Sequence, residues 1–174
     1  MKNIEKYNIK IDKNNIYIFN ELYNNDNIRK KIFDINEFYK GEWFEDKDGL
    51  FKKKEYINIK LHDIPDILYK LTDDGNVNIK IKNTIVNNSD FCFKIKTKYS
   101  IKIKNKNKFI NSIINKIVKI KNNLYITKIT NNKSSIDIKL SIKSLLPLGT
   151  IIESYVENLC NKYIDELISY FNVI

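Results

Sequence analysis

From Val77 onward the chain alternates apolar and polar residues with a period of two. Val77, Ile79 and Ile81 oppose Asn78, Lys80 and Lys82; Phe91, Phe93, Ile95, Tyr99, Ile101 and Ile103 oppose Cys92, Lys94, Lys96, Lys98, Lys102 and Lys104. Successive side chains of a strand point to opposite faces, so this pattern predicts an antiparallel sheet with one apolar face and one solvated, basic face. Ile113 to Ile120, Leu124 to Ile129 and Ser135 to Leu146 continue it, with Asn122-Asn123 and Asn131-Asn132-Lys133 read as turns and 104–111 as a loop. Upstream, Tyr39 to Phe44 and Leu50 to Leu61 predict a hairpin across the polar segment 45–49, which ends in glycine. In its second arm Ile57, Ile59 and Leu61 share a face. Asn14 to Asn20 reads as a first strand, residues 21–33 as one or two short helices with Ile28 and Ile32 inward, and 63–71 as a short helix with Asp63 as cap and Pro65 in its first turn.

Near the end of the chain the period changes. Pro147 and Gly149 close the last strand, and Ile152, Tyr155, Val156, Leu159, Tyr163, Leu167 and Tyr170 then recur every three or four residues. Cys160, Ile164 and Phe171 widen this stripe, while Glu157, Asn158, Asn161, Lys162 and Asp165 lie opposite. Thr150 is suited to cap the helix, with Glu153 three residues on closing a capping box. About 25 helical residues span about 37 Å, long enough to run across a sheet, and a one-faced sheet needs such a cover. The expected fold class is α+β: a curved antiparallel sheet wrapped around a long C-terminal helix, with short helices after the first strand, in one domain over residues 1–174.

Composition changes this picture little. A chain of 174 residues, 43% hydrophobic, buries a core without metal or disulfides. The net charge of +10 suggests an anionic partner, but the chain lacks Ala and Gln, has Arg29 as its one arginine, and is dominated by Ile, Lys and Asn, as a strongly AT-biased genome would write it. Cys92 and Cys160 lie far apart, the amino terminus has no signal-peptide core, and no run reaches the ~18 apolar residues of a membrane span. A soluble, cytoplasmic protein is expected, at most peripheral at membranes.

In element order the chain resembles the START-like superfamily of StAR-related lipid-transfer and polyketide-cyclase-like proteins, which have the helix-grip fold. The residues that carry the resemblance are Leu145-Leu-Pro-Leu-Gly-Thr-Ile-Ile-Glu153, with Asp63-Ile-Pro-Asp-Ile-Leu and Trp43 with its hairpin as weaker echoes. The resemblance implies a cavity between sheet and helix holding a lipid or other hydrophobic ligand. Ile79, Ile81, Phe93, Ile95, Ile138, Leu140, Ile152, Tyr155 and Leu159 would line it. The leading expectation is non-catalytic binding or transfer of such a ligand; the alternative is that the same residues, which are bulky, form a filled core, giving a helix-grip scaffold that acts as a structural or interaction domain.

Catalysis is not expected. His62 is the single histidine and has no paired nucleophile by spacing, the two thiols show no metal or redox spacing, and the inward positions offer the hydroxyls of Tyr155 and Tyr163 but no acid–base pair. Asp46, Asp48, Gly49 and Glu55 echo a calcium loop, but the first ligand position falls on Phe44, so a hairpin turn is the simpler reading. No metal or cofactor is expected. Lys94, Lys96, Lys98, Lys102 and Lys104 form a solvated face suited to an anionic membrane surface. Nucleic acid is disfavoured, because arginine is scarce and Phe91, Phe93 and Tyr99 fall on the apolar face.

Overall fold

The computed structural model describes residues 2–32, 34–62, 66–70, 72, 75–102, 119–143 and 149–173. The chain runs β1 (Lys2–Ile11), α1 (Asn15–Tyr23), α2 (Asn27–Ile32), β2 (Asp34–Lys40), β3 (Phe44–Glu45), β4 (Phe51–Lys60), α3 (Asp66–Tyr69), β5 (Asn76–Asn88), β6 (Cys92–Lys102), β7 (Lys119–Thr130), β8 (Lys133–Lys143) and α4 (Gly149–Val173). The strands form one sheet in the order β1-β8-β7-β6-β5-β4-β2, with β3 also paired to β4 and every pair antiparallel. Register shifts at Ile4/Lys6, Ile35/Glu37, Ile85/Asn87 and Lys128/Thr130 mark bulges, which bend and twist the sheet into a curve.

Several expectations need correction. The segment 14–20 is helical rather than a strand: the Asn14 side chain accepts from the Tyr17 N–H and caps α1, while the first strand lies earlier, at Lys2–Ile11. Ile16 points to solvent while Ile18 and Leu22 are buried four apart, which is helical spacing; the short alternating run Ile16-Tyr17-Ile18 mimics a strand. Asn122-Asn123 is not a turn, because β7 passes straight through both residues. Phe91 lies outside β6, in the turn between β5 and β6, and is 71% exposed. Helix α4 already includes Gly149, so Thr150 stands within it rather than capping it. Asp63, Pro65 and Ile103 lie outside the described residues, as do 104–111 and most of 113–120.

The hairpin forms at β3–β4, where Asp46 N–H donates to the Leu50 carbonyl and Gly49 takes φ +73. Asp46 is a turn residue: its carboxylate accepts from the N–H groups of Asp48 and Leu50 and pairs with Lys52. Gly41 permits the chain leaving β2 to cross β4, since a Cβ there would stand 2.6 Å from the Lys54 carbonyl oxygen. Among the described residues the inner sheet face carries three apolar clusters. The largest joins Ile9 and Ile11 of β1, Phe93, Ile95, Leu124, Ile126, Ile136 and Ile138 of the sheet, Ile18, Leu22 and Tyr23 of α1, Ile28 of α2, and Ile164, Leu167, Tyr170 and Phe171 of α4. Ile28 thus faces inward as expected; the Ile32 side chain is outside what is described.

Candidate functional site: the inner face of the grip

Strand parity puts a row of polar side chains on the inner face. Lys53 lies opposite Asn83, Asn83 opposite Thr97, Thr97 opposite Asn122 and Asn122 opposite Leu140, so the row crosses β4, β5, β6 and β7 at one level. All four residues are buried, and so is Glu55, two positions from Lys53 on the same face. Burial of this kind is tolerated only when each group is paired. Here the Lys53 ammonium stands 3.3 Å from the Glu55 carboxylate, donates to the Tyr23 carbonyl at the end of α1, and sits 5.7 Å from the centre of the Trp43 ring. A cation at that point also favours the negative end of the α1 dipole. Asn83 Nδ2 donates to Glu55 Oε2 at 2.9 Å, and Thr97 Oγ1 donates to Asn83 Oδ1 at 2.8 Å. The chain of bonds stops at Asn122, whose buried Oδ1 has no partner among the described residues.

This belt corrects the expectation that no acid–base pair faces inward. The signal was present in the sequence: Lys53 and Glu55 share parity with Ile57 and Ile59. With Lys53 2% and Glu55 0% exposed, each engaged by the other and by neighbouring groups, the pair fastens the end of α1 to the sheet.

The belt divides the inner face. On one side lies the large cluster, where α1 and the C-terminal half of α4 press on the sheet; Phe19 stacks on Phe93 at 4.8 Å and also meets Tyr23 and Trp43. On the other side Leu140, Ile142 and Val156 gather Ile101, Ile120 and Cys160, while Ile57, Ile59, Val77 and Ile81 gather Ile35, Phe38, Leu61, Ile79, Tyr99 and Ile101. Here the inward-facing Ile79, Tyr99, Ile101 and Ile120 are only half-buried, and so are Tyr155, Leu159 and Cys160 of α4. The helix is tied at several points: Tyr155 OH donates to the His62 carbonyl at 2.9 Å, Tyr7 OH to Asn161 Oδ1 at 2.6 Å, and Tyr170 OH to the Glu21 carboxylate.

Of the residues expected to line a cavity, Phe93, Ile95 and Ile138 come together in the packed cluster, Leu140 in the second, and Ile81 with half-buried Ile79 in the third. Tyr155 and Leu159 lie half-buried on α4; Ile152 lies in α4, but its side chain is outside what is described. Trp43 is a core aromatic, its indole N–H directed at Asn24 Oδ1 at 3.3 Å. Burial first, and the Glu157 charge second, push the Cys160 thiol up to about 12. Among the described residues no group of three His, Cys, Asp or Glu side chains comes together as a metal site, and no helix is long and apolar enough to cross a membrane.

The outer face is basic as expected, but it also carries aromatics. Tyr39 and Tyr56 are exposed there with ring centres 6.0 Å apart, Lys80 lies 5.2 Å from the Tyr56 ring, and Lys94 and Lys139 lie 5.3 and 5.1 Å from the Tyr125 ring.

No family model matches the chain, and no curated protein matches it in sequence. Solved structures do match in fold. A START superfamily protein from Mycobacterium smegmatis superposes with a TM-score of 0.62 at 7% identity, covering 98% of this chain and 98% of its own. The Zhui aromatase/cyclase from Streptomyces sp. R1128 gives 0.58 at 5% identity, over 98% of this chain and 93% of its own. Ara h 8.0201 gives 0.55 at 9% identity, over 98% and 97%. At such identities the likeness is one of architecture. With its curved antiparallel sheet closed by α4, the chain has the START-like helix-grip fold.

Proposed function

We propose that the protein binds, and carries, a lipid or other hydrophobic small molecule between the inner sheet face and the N-terminal half of α4, without catalysing a reaction on it. The observation that supports this reading is the contrast in burial across one continuous face. Ile95, Ile126 and Ile136 are fully buried beneath α1 and α4, whereas Ile79, Tyr99, Ile101 and Ile120 on the same sheet face, and Tyr155 and Leu159 of α4, are only half-buried. An apolar, partly open space with a few polar groups at its floor is what small-molecule sites offer. Shared architecture with a START superfamily protein supports the same reading, while the likeness to an aromatase/cyclase leaves the fold open to chemistry. The non-catalytic reading rests on the Lys53–Glu55 pair, which is sealed from any occupant. Exposed Lys96, Lys98 and Lys121 on the outer face suit docking on an anionic membrane surface.

The test is native mass spectrometry of the purified protein with lipid extraction, together with uptake of fluorescent phospholipid or sterol. A co-purifying ligand, or saturable uptake that Leu159→Trp blocks by filling the space, is expected. If no ligand is recovered and nothing is taken up, the protein is a filled helix-grip scaffold. If Leu159→Trp leaves uptake intact, the ligand lies elsewhere.

A further inference from the structure

The polar belt ends in an unmet need. Asn83 gives one of its two amide hydrogens to Glu55, and Thr97 gives its hydroxyl hydrogen to Asn83. A threonine hydroxyl has a single hydrogen, so Thr97 has none left for its other neighbour, Asn122. Asn122 is 9% exposed, and its Oδ1 is buried with no hydrogen-bond partner among the described residues. Such an acceptor is costly unless something supplies a donor. Its position decides what can: Leu124, on the packed side, is buried in the large cluster, whereas Ile120, on the other side, is half-buried among Ile101 and Cys160. Asn122 therefore stands at the floor of the partly open half.

We infer that this half takes a neutral, hydroxyl-bearing amphiphile, with the hydroxyl hydrogen-bonded to Asn122 and the apolar body lying along Ile120, Ile101 and Tyr99 beneath α4. This deepens, and rests on, the ligand-binding reading above. A hydroxyl both donates and accepts, so it pairs with the Asn122 amide whichever way that amide is turned. A charged head is disfavoured by what surrounds the site. Lys53 is three strands away, about 14 Å at the usual strand spacing, and is already held by Glu55. On the helix side Glu157 is a charged neighbour, its carboxylate acting on Cys160. Among the described residues Lys53 is the one buried cation, so a carboxylate head at Asn122 would be buried away from it with a like charge nearby.

The experiment is displacement of the neutral fluorescent probe N-phenyl-1-naphthylamine from the full chain at pH 7.5 by 1-dodecanol, dodecyl methyl ether and dodecanoate. The chain length is held constant while the head donates, only accepts, or carries charge. Dodecanol is expected to bind about tenfold more tightly than either of the others, the scale of one hydrogen bond to an otherwise unpaired buried group. Asn122→Leu should collapse the alcohol-to-ether ratio to near one while raising the melting temperature of the ligand-free protein, because an unpaired buried acceptor is gone. Asn122→Thr, which suits a strand and restores a hydroxyl, should retain part of the preference. Equal binding of alcohol and ether to the wild-type protein overturns the inference, and so does a preference that survives Asn122→Leu. Displacement by none of the three overturns the ligand-binding reading itself, a result distinct from equal binding by all.

Discussion

The two halves of the inner sheet face share strands, alternation and composition, yet they are covered in different ways. Beneath α1 and the C-terminal half of α4, rings interlock: Phe19 lies on Phe93, Tyr23 and Trp43, and Tyr170 meets Phe171 edge-on at 5.4 Å. Beneath the N-terminal half of α4, Val156 and Cys160 reach the sheet, while Tyr155 and Leu159 stay half-buried. Alternation decides which face of a sheet leaves water; it does not decide how closely the cover fits. The boundary between the halves is the belt from Lys53 to Asn122, so one row of polar residues both pins the filled half and floors the other.

The sharpest way to break this contrast is to break the belt. Glu55→Leu leaves the Lys53 ammonium buried without its counter-charge and should cost about 4 kcal/mol in urea unfolding. Replacing both, Lys53→Met with Glu55→Leu, should recover at least half of that, since the cost lies in an uncompensated charge rather than in lost attraction. A double variant as unstable as the single would show that Lys53 acts chiefly by holding the end of α1. Next in size is a pair of matched truncations on α4. Leu167→Ala, at a fully buried position in the large cluster, should cost about 3 kcal/mol; Leu159→Ala, half-buried, less than about 1 kcal/mol. Equal losses would mean that the two halves are packed alike, and the site would lose its basis.

Much of this was legible in the sequence. The period-two runs of β5, β6 and β8 place Val77, Ile81, Phe93, Ile95, Ile138 and Leu140 inward, and the stripe on α4 buries Val156, Ile164, Leu167, Tyr170 and Phe171. What misled was local chemistry overridden by tertiary context. Asn122-Asn123 has turn composition, but pairing with β6 on one side and β8 on the other holds it extended. Ile16-Tyr17-Ile18 alternates as a strand would, but the Asn14 cap and the burial of Ile18 and Leu22 against the sheet make it helical. The belt was the most instructive omission. Lys53, Glu55, Asn83 and Thr97 have inward parity, but a polar residue on an apolar stripe reads as an interruption until its partners, which come from three different strands, are known. The division of the face into a packed and a looser half has no linear signal, because it depends on where each half of α4 rests.

A smaller effect sits at the β3–β4 hairpin. The Lys52 ammonium, together with the Leu50 N–H, holds the Asp46 carboxyl below its ordinary value of 3.8. A lowered carboxyl contributes its stability above the unfolded value and loses it as pH falls through the folded one. Asp46→Asn should therefore lower the melting temperature slightly at pH 7, and the gap to wild type should narrow as pH falls below the ordinary carboxyl value of 3.8. A gap that persists in acid would assign the turn to hydrogen-bond geometry alone.

The smallest expected effect returns to the two halves through Cys160. Its thiol is raised from 9.0 to about 12, so at pH 8 only about one molecule in ten thousand carries the reactive thiolate. Keeping this thiol neutral favours the folded state fully below pH ~9, and that contribution fades as pH rises toward 12. Because Cys160 lies in the looser half, a small thiol reagent should reach it without unfolding, and ionisation should limit the rate. Iodoacetamide labelling of Cys160, followed by peptide mass spectrometry in a Cys92→Ser background, should then accelerate about tenfold per pH unit between pH 7.5 and 9.5. A rate that ignores pH and instead tracks denaturant would mean that lifting α4, not losing a proton, limits access. The half of the grip beneath Val156 and Cys160 would then be as closed as the half beneath Leu167, and the contrast in burial on which a ligand depends would be gone.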